Sequence, residues 1–278
     1  MKRSIIAAGF SLLCWLAVPP SAHAGPPPAD TTVHRGYLAG RDIGYVSPPA
    51  PDNGDRVSLP DLDAVRAAQG ESPDRRNEAF EDAYAYSYDL LMARFSAAAG
   101  THLSPAGNPV LAHVLQRVLI DLGGDARRDP LSVNGYVTVA KLQHGGSRAR
   151  PYIEDPAIIP CETDYLRATD MQSYPSGHAA NGYAAALVLS AIMPERRTAL
   201  VARGIRYGDN RVVCGVHHPG DVAEGRRIAA AYVAALGHDE AFRHDLECAQ
   251  DEYRAYLNAA AGPRPDWKER CAALRTAP

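Results

Sequence analysis

From Leu59 onward, apolar residues recur at three- and four-residue spacing, the period of an amphipathic helix. Phe80, Tyr84, Tyr88, Leu91 and Phe95 form one such stripe, in a helix expected to begin at Arg75 with Asp74 as its cap. The stripe reads as core and not as a cofactor box. Leu111, Val114, Leu115, Val118 and Leu119 form a second stripe over Asn108 to about Leu122, closed by Gly123-Gly124. A third helix is expected from about Asn134 to Gln143, stopped by Gly145-Gly146. Arg150 to Met171 carries three prolines and little periodicity, which predicts a long loop of a kind that often serves function. Helices resume over Ser176–Ile192, Glu195–Asp209, Gly220–Gly237 and Asp239–Ala261. Strand signals are nearly absent and no internal repeat is found. The pattern predicts an all-α, single helical-bundle domain over residues 59–278.

Upstream the periodicity stops. Residues 25–58 are rich in proline, which lacks the amide donor and fixes φ, so an extended surface arm is expected. Residues 1–24 differ again. Lys2 and Arg3 precede an apolar run from Ile5 to Val18, and Ala22-His23-Ala24 supplies the small residues of a cleavage site. This predicts a signal peptide removed after Ala24, and a periplasmic or secreted location. Loss of Lys2 and Arg3 takes the formal net charge from −3 to −5. There is no basic excess to suit nucleic acid. No second apolar run approaches the length of a membrane span.

Cleavage also removes Cys14 and leaves Cys161, Cys214, Cys248 and Cys271. An even number in an exported chain reads as two disulfides. Three pairings are possible. Cys248 with Cys271 and Cys161 with Cys214 is favoured, since the first pair lies within the C-terminal segment. No cysteine spacing matches a structural zinc site.

The candidate chemistry begins at Pro175-Ser176-Gly177-His178. Serine is a preferred N-cap, and the first turn of a helix offers unpaired N–H groups and a partial positive charge to an oxyanion. A glycine there lets a ligand approach the backbone. Alone, the stretch reads equally as an ordinary helix start. A second cluster is Asn-Arg-Val-Val-Cys-Gly-Val-His-His-Pro-Gly-Asp over 210–221, with five residues between Arg211 and His217 and Asp221 at i+4 from His217. With a helical turn at 217–221 the Asp221 carboxylate meets the His217 ring, fixes its tautomer and leaves the other nitrogen basic. Arg211 supplies a planar fork of donors for phosphate oxygens. A third cluster is Lys141 followed by Arg148-Ala149-Arg150-Pro151.

In this order the three clusters resemble the signature of the acid phosphatase/vanadium haloperoxidase (type-2 phosphatidic acid phosphatase) superfamily, and most of all its secreted bacterial class A nonspecific acid phosphatases. The signature spans residues 141–221. Two departures stand out. Eight residues separate Lys141 from Arg150, where the family has six between lysine and arginine. A two-residue insertion at His144-Gly145-Gly146 accommodates this and assigns the arginine role to Arg150, although Arg148 has the family's distance from Lys141. Asn210 stands where the family usually has serine.

The resemblance implies a two-step phosphoryl transfer on phosphate monoesters, without metal or cofactor. His217 is the nucleophile, Asp221 its orienting carboxylate, and His178 the general acid. Lys141, Arg150, Arg211, Ser176 and Gly177 hold the phosphate. His218, beside His217, is the rival nucleophile, and the family spacing selects His217. The competing readings are a vanadate-dependent haloperoxidase and a non-catalytic phosphate-binding protein. The partners expected are small phosphate esters and, by analogy with the class, a second copy of the chain.

Overall fold

The computed structural model describes residues 35–52, 58–123, 135–143, 148–162, 172–256 and 262–275. The expected signal peptide, the expected break at Gly145-Gly146 and the side chain of Lys141 lie outside the described residues.

The described chain is helical. Its main elements are α1 (Ser58–Ala68), α2 (Pro73–Ala83), α3 (Tyr88–Ala99), α4 (Pro109–Leu122), α5 (Tyr136–Gln143), α6 (Pro151–Glu154), α7 (Gly177–Ile192), α8 (Arg197–Val213), α9 (Pro219–Leu236) and α10 (Glu240–Tyr256). Among the described residues there is no strand, only an isolated parallel bridge between Arg148 and Gln172. No helix among them is long and apolar enough to cross a membrane.

The molecule is built around α7. Its sequence GHAANGYAAALVLSAI is small and apolar, and it is buried on almost every side. α8 and α9 pack closely against it because the contacts are made by glycine and alanine. A Cβ on Gly204 of α8 would lie 2.4 Å from the Ala186 methyl, and one on Gly225 of α9 would lie 2.3 Å from the Ser176 carbonyl oxygen. The second contact brings the start of α9 against the start of α7, where the candidate site lies.

α4 follows its apolar stripe. Leu111, Val114, Leu115, Val118 and Leu119 are all buried, and Gly123 ends the helix in the left-handed region at φ 60°. Truncating a buried leucine such as Leu115 to alanine costs about 2–5 kcal/mol.

The aromatic stripe behaves differently. The single helix expected from Arg75 is two helices, α2 and α3, separated at 84–87. The first begins at Pro73 and is capped by Ser72, not Asp74; the Ser72 hydroxyl accepts from the Arg75 amide at 3.3 Å. Proline at the first helical position needs no amide partner, which selects this start. Leu91 and Phe95 are core residues, but Phe80 is 44% exposed.

The proline-rich arm is more firmly held than a surface strand. Tyr37, Leu38 and Ser47 are buried. Asp121 of α4 accepts from the amides of Leu38 at 2.8 Å and Ala39 at 2.9 Å, and Glu224 of α9 accepts from Tyr45 and Ser47 at 2.7 Å each. Two buried carboxylates thus replace the backbone pairing that proline cannot make. The sulfurs of Cys161 and Cys214, and of Cys248 and Cys271, lie at disulfide distance.

Candidate active site

α7 opens at Ser176, whose hydroxyl accepts weakly from the Ala179 amide at 3.4 Å. The Ser176 amide donates to the Asp221 carbonyl at 3.0 Å, tying this helix start to that of α9. Gly177 and His178 form the first turn, with amides that have no helical carbonyl to bond. All three residues are buried.

α8 runs past its expected end at Asp209 to Val213 and carries Arg211 in its last turn. The chain then folds back, with the Arg211 carbonyl accepting from the amides of Val216 at 3.2 Å and His217 at 3.3 Å. Gly215 makes the reversal at φ 73°, a conformation that disfavours a side chain. His218 is the N-cap of α9, Pro219 its first residue and Asp221 its third. That register turns the Asp221 carboxylate back across the helix start. Its Oδ2 accepts from the His218 amide at 2.9 Å and the Ser173 hydroxyl at 2.6 Å, and its Oδ1 from Arg148 at 2.7 Å. His217 Nδ1 stands 3.6 Å from Oδ2, an ion-pair distance longer than a hydrogen bond.

The other ring nitrogen of His217, Nε2, lies 3.0 Å from a guanidinium nitrogen of Arg150. A guanidinium only donates, so Nε2 is the acceptor and the ring proton sits on Nδ1, facing Asp221. Burial first, and then the Arg150 charge, hold the His217 imidazole well below the ordinary histidine value, against the pull of Asp221. At Asp221 burial opposes ionisation, but His217 and Arg148 outweigh it and keep the carboxyl below the usual carboxylate range. The pair is therefore a neutral imidazole beside an ionised carboxylate.

Of the two arginines that follow Lys141, Arg150 faces His217, while Arg148 is fully buried behind Asp221 and bonds Asp61 of α1 at 2.9 Å. Arg211 is buried and bonds Glu162 at 2.5 Å, while its Nε and Nη1 have no hydrogen-bond partner among the described residues. A buried guanidinium with donors unspent suits an incoming oxyanion. His218 is turned away from this centre. Its Nε2 lies 3.0 Å from Glu154 and 3.3 Å from the Ala149 carbonyl.

His178 is buried and stacks on Tyr207, ring centroids 6.1 Å apart. Its Nε2 lies 3.1 Å from the Ala83 carbonyl, which can only accept, so Nε2 carries a proton. The end of α2 that presents this carbonyl is fixed by Asp82, which accepts from Arg94 at 2.7 Å and from Arg203 and Asn210 at 2.5 Å each. Asn210, the departure from the family's serine, thus joins α8 to the element that holds His178.

The sequence reading passed over Asp61, Asp82, Glu162 and Ser173. Ser173 lies in the same stretch, three residues ahead of Ser176, but its partner Asp221 is far along the chain. The other three are carboxylates whose partners lie well apart in the chain, and no local pattern marks them.

Residues 131–243 match the PAP2 superfamily. An acid phosphatase of Zymomonas mobilis is 30% identical over 222 residues, 79% of this chain and 78% of that protein. A non-specific acid phosphatase of Salmonella typhimurium is 32% identical over 213 residues, 75% of this chain and 78% of that protein. One from Providencia stuartii is 34% identical over 160 residues, 57% of this chain and 59% of that protein. With its helical fold and this likeness over most of its length, the chain belongs to the PAP2 superfamily, in the branch of the bacterial non-specific acid phosphatases.

Proposed function

We propose that the protein is an exported acid phosphatase that hydrolyses phosphate monoesters of broad range through a phosphohistidine on His217. Relatives named acid phosphatase support the phosphatase chemistry. The observation that carries the mechanism is the state of His217, a neutral ring with its proton toward Asp221 and its lone pair on Nε2 toward Arg150. Such a ring is ready to attack.

In the first step Nε2 forms a bond to phosphorus as the bond to the ester oxygen breaks. His178 delivers a proton to that oxygen. Asp221 stabilises the positive charge that develops on the His217 ring. Arg150 turns from Nε2 to the phosphoryl oxygens, joined by Arg211, Lys141, the Ser176 hydroxyl and the amides at the start of α7. Preorganised donors of this sort contribute about 3–4 kcal/mol each in favourable cases. In the second step His178 removes a proton from water, which attacks phosphorus and releases His217.

The guanidinium and ammonium groups supply the charge that metal ions supply in other phosphatases, so no metal or cofactor is needed. The leader pattern of residues 1–24 and the paired cysteines support export.

Because burial and Arg150 depress the His217 pKa, the attacking form persists below the ordinary histidine range near 6.5. The attacking step therefore survives into acid. The test is hydrolysis of p-nitrophenyl phosphate between about pH 4 and 8 with excess EDTA. Undiminished turnover with an acidic optimum, abolished in His217→Ala, is expected. Loss of turnover to the chelator, or its survival in His217→Ala, would contradict the proposal.

A further inference from the structure

Arg148 takes no part in the steps above, yet it is fully buried and spans two carboxylates. Its Nη1 bonds Asp221 Oδ1 at 2.7 Å and its Nη2 bonds Asp61 Oδ2 at 2.9 Å. Asp61 Oδ2 also accepts from the Gly220 amide at 3.2 Å, in the first turn of α9. The space around this junction is tight. A Cβ on Gly220 would lie 2.7 Å from Asp61 Oδ2 and 3.3 Å from Arg148 Nη1. The contacts therefore run from α1 through Asp61, Arg148 and Asp221, alternating in charge, and end at the neutral ring of the candidate nucleophile His217.

We infer that Arg148 and Asp61 are positioning residues for the nucleophile. Arg148 fixes the Asp221 carboxylate so that one oxygen is left to face His217, and Asp61 fixes Arg148. This rests on the reading of His217 as the nucleophile. Without Arg148, the hydrogen bonds left to Asp221 are those from Ser173 and the His218 amide, both on Oδ2, the oxygen that also faces His217 at 3.6 Å. Oδ1 is then unpaired and the carboxylate can pivot about Oδ2, which changes the angle it presents to the ring. Removing the guanidinium also removes a positive charge that reaches His217 through Asp221. The charged groups around His217 are Asp221 on α9, Arg150 ahead of α6 and Arg211 on α8, with His218 next along the chain and beside Asp221.

These relations give the two variants opposite signatures. Arg148→Gln takes away a positive charge, favours the protonated His217 ring and moves the acid limb of kcat/KM to higher pH, by about one unit for a charge at this range. Asp61→Asn takes away a negative charge and moves the same limb to lower pH, by roughly half that. A merely structural role lowers stability or kcat in both variants without moving the limb in opposite directions. The experiment measures kcat/KM against pH for p-nitrophenyl phosphate in wild type and both variants, with thermal unfolding alongside and trapping of the phosphoenzyme in wild type. If Arg148→Gln does not fold, Asp61→Asn carries the test, because Asp61 is partly exposed. Limbs that stay put, or both move the same way, overturn the inference alone when wild type still yields a phosphohistidine. A wild type that yields none overturns the His217 reading, and the inference with it.

Discussion

Asp221 and Asp82 are both fully buried, and each gathers donors from several elements. Asp221 reaches toward the His217 ring at 3.6 Å while Arg148, Ser173 and the His218 amide hold it. Asp82 takes Arg94, Arg203 and Asn210, and meets His178 only through the chain, because the next residue, Ala83, presents its carbonyl to that ring at 3.1 Å. The difference suits two histidines with opposite tasks. A nucleophile gains from a carboxylate that becomes its counter-ion as the ring turns cationic. A proton shuttle must pass between two charge states, and a neutral carbonyl anchors it in either. In the proposed mechanism one buried carboxylate thus supplies charge at the reacting ring, and the other supplies geometry from behind.

Breaking the first carboxylate has the largest expected effect. Asp221→Asn keeps the shape but removes the charge and presents an amide to the ring. In comparable histidine–carboxylate pairs this costs about ten-thousand-fold in kcat, and a loss of that order with little change in KM is expected here. A loss below about tenfold would remove the distinction drawn above.

His178→Ala sharpens the comparison from the other side. Loss of the general acid costs roughly a hundred- to ten-thousand-fold on alkyl phosphates, whose leaving groups need a proton. Labelling of the enzyme by p-nitrophenyl phosphate, whose leaving group needs none, survives. Equal losses in the labelling step for both substrates would contradict the assignment.

Asp82→Asn has the smallest catalytic effect of the three. It leaves Arg94, Arg203 and Asn210 short of a charged acceptor, which lowers stability by about 1–3 kcal/mol, seen as a reduced denaturant midpoint. The rate should fall less than about tenfold, because the Ala83 carbonyl and the Tyr207 ring still hold His178. A fall as large as that of Asp221→Asn would make the two carboxylates equivalent.

Much of this was legible in the sequence. α4 announced itself because one face of it meets the core with helical period. His217 and Asp221 were legible because their partnership spans one turn, and Ser176 because it caps a helix. The break between α2 and α3 was not, since Tyr84 and Tyr88 keep the helical spacing across a non-helical link and so imitate continuity. Nor was the burial of the arm, which depends on Asp121 and Glu224, far along the chain. Arg148 and Arg150 are two residues apart beside an insertion, and only their three-dimensional partners separate them. Asp61 and Asp82 each have an acidic neighbour in the same helix, Asp63 and Glu81, and only tertiary contacts with arginines set them apart from those exposed neighbours.

The most direct test of the central claim is to trap the intermediate. The protein is mixed with p-nitrophenyl phosphate carrying labelled phosphate, quenched in alkali, where phosphohistidine survives, and digested to find the labelled peptide. The account predicts label on His217 in wild type, more of it in His178→Ala, where water attack is slowed, and none in His217→Ala. Turnover without label, or label on His218, would contradict it.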